Sequence, residues 1–167
     1  MLSIHEFNSA SFIKAVFLDF DGVFTDNSVS VDENGMEYVR CSRYDGFGIS
    51  SLQKSNIFVH VISTETRPLA LKRCEKLKIP CSYGINNKLN HALDICSKIG
   101  FSLSQICFFG NDINDLELLD KVKFPVITPD SHPSVRKSNF YVTSLTGGNG
   151  CVRELSDFLL TNNQFTH

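Results

Sequence analysis

Four short apolar runs, each closed by turn-forming residues, constrain the fold of this chain most strongly. Each run is nearly continuous in hydrophobicity, as in strands that are buried on both faces. The runs are residues 15–20, 57–63, 105–110 and 124–128. Segments with helical spacing follow or separate them, at 46–55, 68–78, 88–100 and 115–122. This alternation predicts an α/β fold, with a mostly parallel sheet, helices on both faces and right-handed crossovers.

One segment, residues 28–40, interrupts the alternation. It has two short runs of alternating polarity around Asn34-Gly35, a dipeptide that is typical of tight hairpin turns. The sequence therefore predicts a β-hairpin inserted soon after the first strand.

Composition narrows the class of protein. With 167 residues, of which 42% are hydrophobic and 20% charged, we expect one globular domain over residues 1–167. A net charge of −2 does not suggest a nucleic-acid or membrane partner. We find no run long enough to cross a membrane and no secretory signal pattern. Six cysteines without a CxxC pair favour buried thiols in a reducing compartment, so we expect a cytoplasmic protein.

Polar and charged side chains follow the predicted strands or open the next helix. They are Asp19, Asp21, Ser63, Thr64, Lys88, Asn111, Asp112 and Asp115. Taken singly, Asp115 and Ser63 fit helix caps, and Lys88 fits a solvated helix residue. In an open α/β sheet, however, ligands bind beyond the carboxyl ends of the strands. Several acids with one lysine at that edge are typical of a divalent-metal and phosphate site.

The segments DFDGVFTD, VIST, NNKL and GNDINDLELL resemble, in this order, the four motifs of the haloacid dehalogenase superfamily, in particular its aspartate-based phosphatases. The similarity extends from about Lys14 to Leu160. The predicted hairpin and GGNGCVRE resemble the capless branch, which contains phosphatases of 3-deoxy-2-keto sugar acid phosphates. The resemblance implies a three-layer Rossmann-like fold with an inserted hairpin and no cap domain.

The resemblance also implies a role for each site residue. Asp19 would be the nucleophile that forms an aspartyl-phosphate, and Asp21 would be the general acid and base. Mg²⁺ would be bound by Asp19, the main-chain carbonyl of Asp21 and Asp112. Asp115 would orient Lys88 or the waters on the metal. The groups expected to bind the phosphoryl oxygens are Ser63, Thr64, Lys88 and the backbone amide of Gly22.

Three further residues bear on the substrate. Glu65, Arg73 and Lys76 match positions at which nonulosonate-9-phosphate phosphatases carry Glu, Arg and Lys. Arg73 and Lys76 lie three residues apart on a predicted helix, so both could bind one sugar-acid carboxylate. The alternative for this face is ordinary exposure to solvent. The pattern favours a nine-carbon substrate over 3-deoxy-D-manno-octulosonate (KDO) 8-phosphate.

Without a cap, some other element must exclude water from the site. In the branch that this chain resembles, that element is a neighbouring subunit of a homotetramer, with the glycine-rich C-terminal segment near its active site. The alternative for TGGNG, residues 146–150, is a simple helix-entry loop. Asp26 could contact substrate or only begin the hairpin.

Two other functions fit the same fold. One is a catalytically silent oligomerisation module associated with a CMP-sialic acid synthetase, which the full set of site residues disfavours. The other is a phosphomutase, which the lack of room for a cap disfavours.

Overall fold

A computed structural model describes residues 13–163 of the chain, and six parallel strands form its central sheet. The strands are β1 (Ala15–Leu18), β2 (Ser30–Val31), β3 (Glu37–Tyr38), β4 (Phe58–Ile62), β5 (Cys81–Ser82), β6 (Ile106–Gly110), β7 (Phe124–Ile127) and β8 (Tyr141–Val142). Their order across the sheet is β5-β4-β1-β6-β7-β8, while β2 and β3 pair antiparallel as a separate hairpin. Strand β1 thus lies near the centre, between β4 and β6.

The helices cover both faces of the sheet. They are α1 (Arg43–Lys54), α2 (Leu69–Leu77), α3 (Lys88–Ile99), α4 (Leu116–Leu119) and α5 (Cys151–Asn163). Side chains of β1 alternate between two apolar cores. Val16 and Leu18 pack with α1, α2 and α5, whereas Ala15 and Phe17 pack with α3 and α4. The predicted three-layer α/β fold is confirmed.

The inserted hairpin forms where it was predicted. Gly35 has φ +76°, a conformation in the left-handed region that favours glycine, and its amide donates to the Asp32 carbonyl at 3.0 Å. The edge strands β5 and β8 were not predicted, because two residues carry no periodic signal. Helix α1 begins at Arg43, earlier than the predicted 46, because the Ser42 side chain caps it by accepting from the Tyr44 amide at 3.2 Å. No helix within residues 13–163 is long and apolar enough to cross a membrane.

A buried carboxyl connects α1 to the start of α5. Asp45 is fully buried, and its Oδ1 accepts from the Arg153 amide at 3.1 Å. This amide lies in the first turn of α5, where backbone N–H groups have no acceptor within the helix. Among the described residues 13–163, the second carboxyl oxygen, Oδ2, has no hydrogen-bond partner. Burial therefore raises the pKa of Asp45 from 3.8 to about 6, and the hydrogen bonds from the amides of α5 oppose this shift.

This raised pKa predicts a pH-dependent stability. Between its unfolded and folded pKa values, Asp45 is more protonated in the folded chain than in the unfolded one. The contribution of Asp45 to the unfolding free energy therefore falls as pH rises from about 4 to about 6 and then levels off. Relative to Asp45→Asn, the wild-type chain should lose up to about 3 kcal/mol of unfolding free energy over this range. Urea unfolding of both proteins near pH 4 and near pH 7 measures the difference. An equal stability difference at both pH values would contradict the assignment.

Candidate active site

The candidate site lies at the carboxyl ends of β1, β4 and β6. Asp19 directly follows β1, and its amide donates to the Phe109 carbonyl of β6 at 2.8 Å, so the main chain is fixed at this point. Asp19 is 5% exposed, whereas Asp21, two residues on, is half-buried. Burial raises the pKa of Asp21, and the Glu65 carboxylate adds to the effect.

Lys88 forms two short ion pairs at the bottom of the site. Its Nζ lies 2.7 Å from Asp19 Oδ1 and 2.6 Å from Asp115 Oδ1, and all three side chains are buried. Burial alone would lower the pKa of Lys88, but the two carboxylates outweigh it and raise the pKa, so the ammonium stays charged. Burial, and then the charge of Asp115, raise the pKa of Asp19, against the opposing effect of Lys88.

Asp115 also fixes the turn that follows β6. Its Oδ2 accepts from the Asn111 amide at 2.8 Å and the Asp112 amide at 3.2 Å. One carboxylate therefore connects the turn to the lysine at the start of α3. The resemblance implied that Asp115 orients Lys88 or the waters on the metal, and its contact with Lys88 is compatible with the first of these roles.

The loop after Asp21 is tightly wound. Gly22 has φ +76°, and a Cβ at this position would collide with the Asn111 side chain. Thr25 Oγ1 accepts from the Gly22 amide at 3.1 Å and from the Asn27 amide at 3.2 Å. The Gly22 amide, a predicted phosphate donor, thus already has a partner in this chain.

The glycine-rich segment 146–150 lies on this same loop of its own chain. The Gly148 amide donates to the Val23 carbonyl at 3.0 Å. A Cβ at Gly147 would collide with the carbonyl of Gly22, so the two backbones approach closely. Asp26 forms an ion pair with Arg40 at 3.1 Å. Within the described chain, Asp26 therefore anchors the base of the hairpin.

A polar cavity of about 160 Å³ opens above Asp19. It is lined by Asp19, Asp21, Asn27, Thr64, Asn111, Asp112 and Asn114. Thr64 and Asn114 meet across it, with Asn114 Nδ2 donating to Thr64 Oγ1 at 3.3 Å. Ser63, which precedes Thr64, is buried and is not among these lining residues; its hydroxyl oxygen accepts from the Glu65 amide at 3.1 Å. The cavity is of a size to hold a phosphate group with a metal ion.

Asn111 is the site residue to which the sequence assigned no role. The atom of its side-chain amide that faces inward lies 2.9 Å from the Asp21 carbonyl oxygen and 3.3 Å from Asp19 Oδ2. With nitrogen inward, the amide donates to both; with oxygen inward, three oxygens converge, an arrangement that a cation stabilises. Asp112, the predicted metal ligand, lines the cavity wall, but its Oδ1 accepts from the Ile113 amide at 2.7 Å.

These groups fit Mg²⁺. They offer a carboxylate, a main-chain carbonyl and an amide, all hard oxygen ligands. Two buried carboxylates share one ammonium here, so the site carries net negative charge that a divalent cation would offset. No group of three His, Cys, Asp or Glu side chains in the described part of the chain could hold a metal, so oxygens of other groups would have to take part.

The predicted substrate residues fall into two places. Glu65 lines a second cavity of about 320 Å³, between the hairpin and the loop after β4, which it shares with Asp21. Arg73 and Lys76 line a separate cavity of about 490 Å³ between α1 and α2. Arg73 is turned that way because its guanidinium donates to the Ser42 carbonyl at 2.9 Å. Within one chain, the three residues are therefore not brought together.

Comparison with known proteins identifies the family. A haloacid dehalogenase-like hydrolase model matches residues 82–155. A KDO 8-phosphate phosphatase from Salmonella typhi is 34% identical over 160 residues, which cover 95% of this chain and 85% of that protein. The chain belongs to the haloacid dehalogenase-like hydrolases. The predicted enzyme class is confirmed, because the relatives of this hydrolase are phosphatases of that family.

Solved structures resemble the hydrolase over nearly its whole length. A haloacid dehalogenase family hydrolase from Streptomyces avermitilis is 39% identical, with a TM-score of 0.87 and coverage of 90% of this chain and 87% of that one. A KDO 8-phosphate phosphatase from Moraxella catarrhalis, in complex with magnesium, phosphate and KDO, is 27% identical. Its TM-score is 0.91, with coverage of 96% and 92%. The metal predicted from sequence is the one that this relative contains.

Removing the shared ammonium should destabilise the hydrolase strongly. Lys88→Met leaves two buried carboxylates without their cation, and breaking a buried pair in this way costs about 3–5 kcal/mol of unfolding free energy. The matched control is Lys137→Met, because the Lys137–Asp120 pair is of similar length, 2.6 Å, but is exposed, and should cost less than about 1 kcal/mol. Chemical denaturation of both variants measures this. Equal losses would show that the buried pairs do not stabilise the fold.

Proposed function

We propose that this hydrolase is a Mg²⁺-dependent phosphatase that hydrolyses the phosphate monoester of a 3-deoxy-2-keto sugar acid through an aspartyl-phosphate, acting as a single capless domain. The observation that carries the proposal is the Asp19 carboxylate, held by Lys88 at 2.7 Å at the bottom of a polar cavity that Asp21 also lines. The Salmonella typhi and Moraxella catarrhalis relatives, phosphatases of KDO 8-phosphate, support the substrate class.

Each side chain has a part in the proposed reaction. The Asp19 carboxylate attacks phosphorus, and the bond from phosphorus to the sugar oxygen breaks as Asp21 gives that oxygen a proton. Asp21 then takes a proton from the water that attacks the aspartyl-phosphate, releasing inorganic phosphate. Ser63 and Thr64 donate hydrogen bonds to the phosphoryl oxygens, and the Lys88 ammonium offsets their negative charge. Bound Mg²⁺, held by Asp19, the Asp21 carbonyl and Asn111, would stabilise the charge that develops on those oxygens.

The carboxylate of a sugar acid needs a cation. The cavity beside Asp21 is lined by Glu37 and Glu65, and the nearby guanidinium of Arg67 is already paired with Glu37 at 2.8 Å. We propose that Arg73 and Lys76 of a neighbouring chain in a homotetramer receive this carboxylate. Exposed apolar side chains on the hairpin, which suit packing against another chain, support self-association. They are Val29, Val31, Met36 and Tyr38, each more than half exposed.

Phosphate release tests the function directly. The purified chain with Mg²⁺ should hydrolyse one or more of KDO 8-phosphate, KDN 9-phosphate and N-acetylneuraminate 9-phosphate, and the preferred member decides between eight-carbon and nine-carbon substrates. Asp19→Asn should abolish turnover, because the amide is not a nucleophile, while circular dichroism shows an intact fold. Folded wild-type protein that hydrolyses none of the three would favour the silent oligomerisation module. Retained turnover in Asp19→Asn would refute the nucleophile.

The metal ligand can be assigned by a pair of variants. If Asn111 faces the ion, Asn111→Ala should weaken Mg²⁺ binding by about ten-fold or more, as loss of groups around a metal does. Asp112→Ala should weaken it less, because that carboxylate caps the turn at Ile113. Calorimetric titration with Mg²⁺ measures both affinities without substrate. The opposite order would return the role to Asp112, as the sequence first suggested.

A further inference from the structure

The β2–β3 hairpin forms one wall of the cavity beside Asp21. Asn27, Ser28 and Val29 line this cavity from the start of the hairpin, and Glu37 and Val39 line it from the second strand. The hairpin pairs with no strand of the central sheet. Because an isolated two-stranded hairpin is only marginally stable in water, the contacts that hold it down determine the shape of the cavity.

The base of the hairpin is well anchored. Thr25 and Cys41 form an antiparallel bridge where the hairpin leaves the body of the protein. Arg40 pairs with Asp26 at 3.1 Å and donates to Asn149 of the glycine-rich segment at 3.4 Å. These contacts hold both strands at the base of the hairpin, but they do not fix the position of its turn, at the opposite end.

The far end has little apolar packing in this chain. Val31, Met36 and Tyr38 are each 55–58% exposed. Arg67, from the loop between β4 and α2, reaches this end: its Nη1 lies 2.8 Å from Glu37 Oε1 and donates to the Gly35 carbonyl at 3.4 Å. Arg67 thus connects to both the second strand and the turn of the hairpin.

The loop that carries Arg67 is itself held in shape by the opposite wall. Glu65 Oε1 accepts from the Thr66 amide at 2.7 Å and the Arg67 amide at 2.9 Å, and Glu65 lines the same cavity as Glu37. A single arginine therefore spans from the Glu65 wall to the Glu37 wall. The pair between Arg67 and Glu37 thus connects the two walls directly.

We propose that Arg67 is a positioning residue that latches the hairpin to the loop after β4 and so sets the width of the cavity that receives the polyhydroxyl part of the substrate. The inference rests on the proposed function, since it assigns that part of the substrate to this cavity. The phosphate cavity above Asp19 lies outside the latch. Loss of Arg67 therefore affects substrates that extend from the phosphate into the second cavity, and spares those that do not.

The kinetic test compares two substrates. One is the sugar acid phosphate that the wild-type chain hydrolyses best, and the other is p-nitrophenyl phosphate, which carries no polyhydroxyl chain. Arg67→Gln should raise KM for the sugar acid phosphate by about two- to five-fold, the range expected of an exposed ion pair. It should leave kcat nearly unchanged, and kcat/KM for p-nitrophenyl phosphate should stay at the wild-type value.

A double-mutant cycle separates a latch from a direct contact. Glu37→Gln and the double variant should each raise KM by no more than Arg67→Gln does, because all three break the same pair. A larger effect of Glu37→Gln alone would show that Glu37 acts on the substrate directly, and would overturn the latch. The control is Lys72→Gln, which breaks an exposed pair with Glu75 of 3.0 Å on α2 and should leave KM unchanged.

Amide hydrogen exchange measures how firmly the hairpin is held, without any substrate. Amides of residues 28–39 should exchange faster in Arg67→Gln than in wild type, while those of the central sheet should not change. Unchanged exchange in the hairpin, or an equal loss of kcat/KM on both substrates, would overturn the proposal. Failure of the wild-type chain to hydrolyse any sugar acid phosphate would instead refute the proposed function, and the exchange result would still decide the latch.

Discussion

One buried ammonium shared by two carboxylates is the interaction on which the site depends. Lys88 comes from the start of α3, Asp19 from the end of β1 and Asp115 from the turn after β6. Removing these charges from water is costly, and the cost of the two buried carboxylates is offset only if the Lys88 ammonium lies between them. The three charges are therefore paired only once β1 lies beside β6 in the sheet and the start of α3 lies next to the ends of both strands. The same arrangement gives Asp19 a fixed position and a fixed charge partner.

The surroundings of this ion cluster are built from backbone as much as from side chains. Gly22 in a left-handed conformation leaves room for the Asn111 side chain, and Gly147 leaves room for the carbonyl of Gly22. Asn27, with φ +61°, lines both the phosphate cavity and the larger cavity beside it. The two cavities are thus neighbours that share Asp21 and Asn27. A phosphate monoester with a long polar chain could occupy both at once.

The sequence predicted the centre of the site because its residues directly follow or precede long elements with clear patterns. Asp19 follows a buried strand, and Lys88 begins a helix with its own N-cap. Because both positions lie at the carboxyl edge of a parallel sheet, the topology predicts that the two residues lie close together. The inward position of Asn111 was not predictable in this way, since it depends on the left-handed turn at Gly22. Arg73 was proposed from its match to nonulosonate-9-phosphate phosphatases, and helical spacing suggested that it and Lys76 could face one site. Its direction is instead set by the Ser42 carbonyl, a contact made 31 residues away. Such distant contacts have no local signal.

Charge then limits how a substrate with two anionic groups can lie in the site. Its phosphate is drawn to Lys88 and the metal, but the adjoining cavity presents the carboxylates of Glu37 and Glu65. The charge of Glu37 is offset by Arg67, 2.8 Å away, but a further carboxylate about 4 Å from Glu65 would be repelled by roughly 4 kcal/mol at an effective dielectric constant near 20. Hydroxyl groups, by contrast, can donate to these same oxygens. The cavity therefore suits hydroxyl-bearing carbons. Under the proposed function, the acid group of the substrate would point away from Glu65, toward the opening of the cavity.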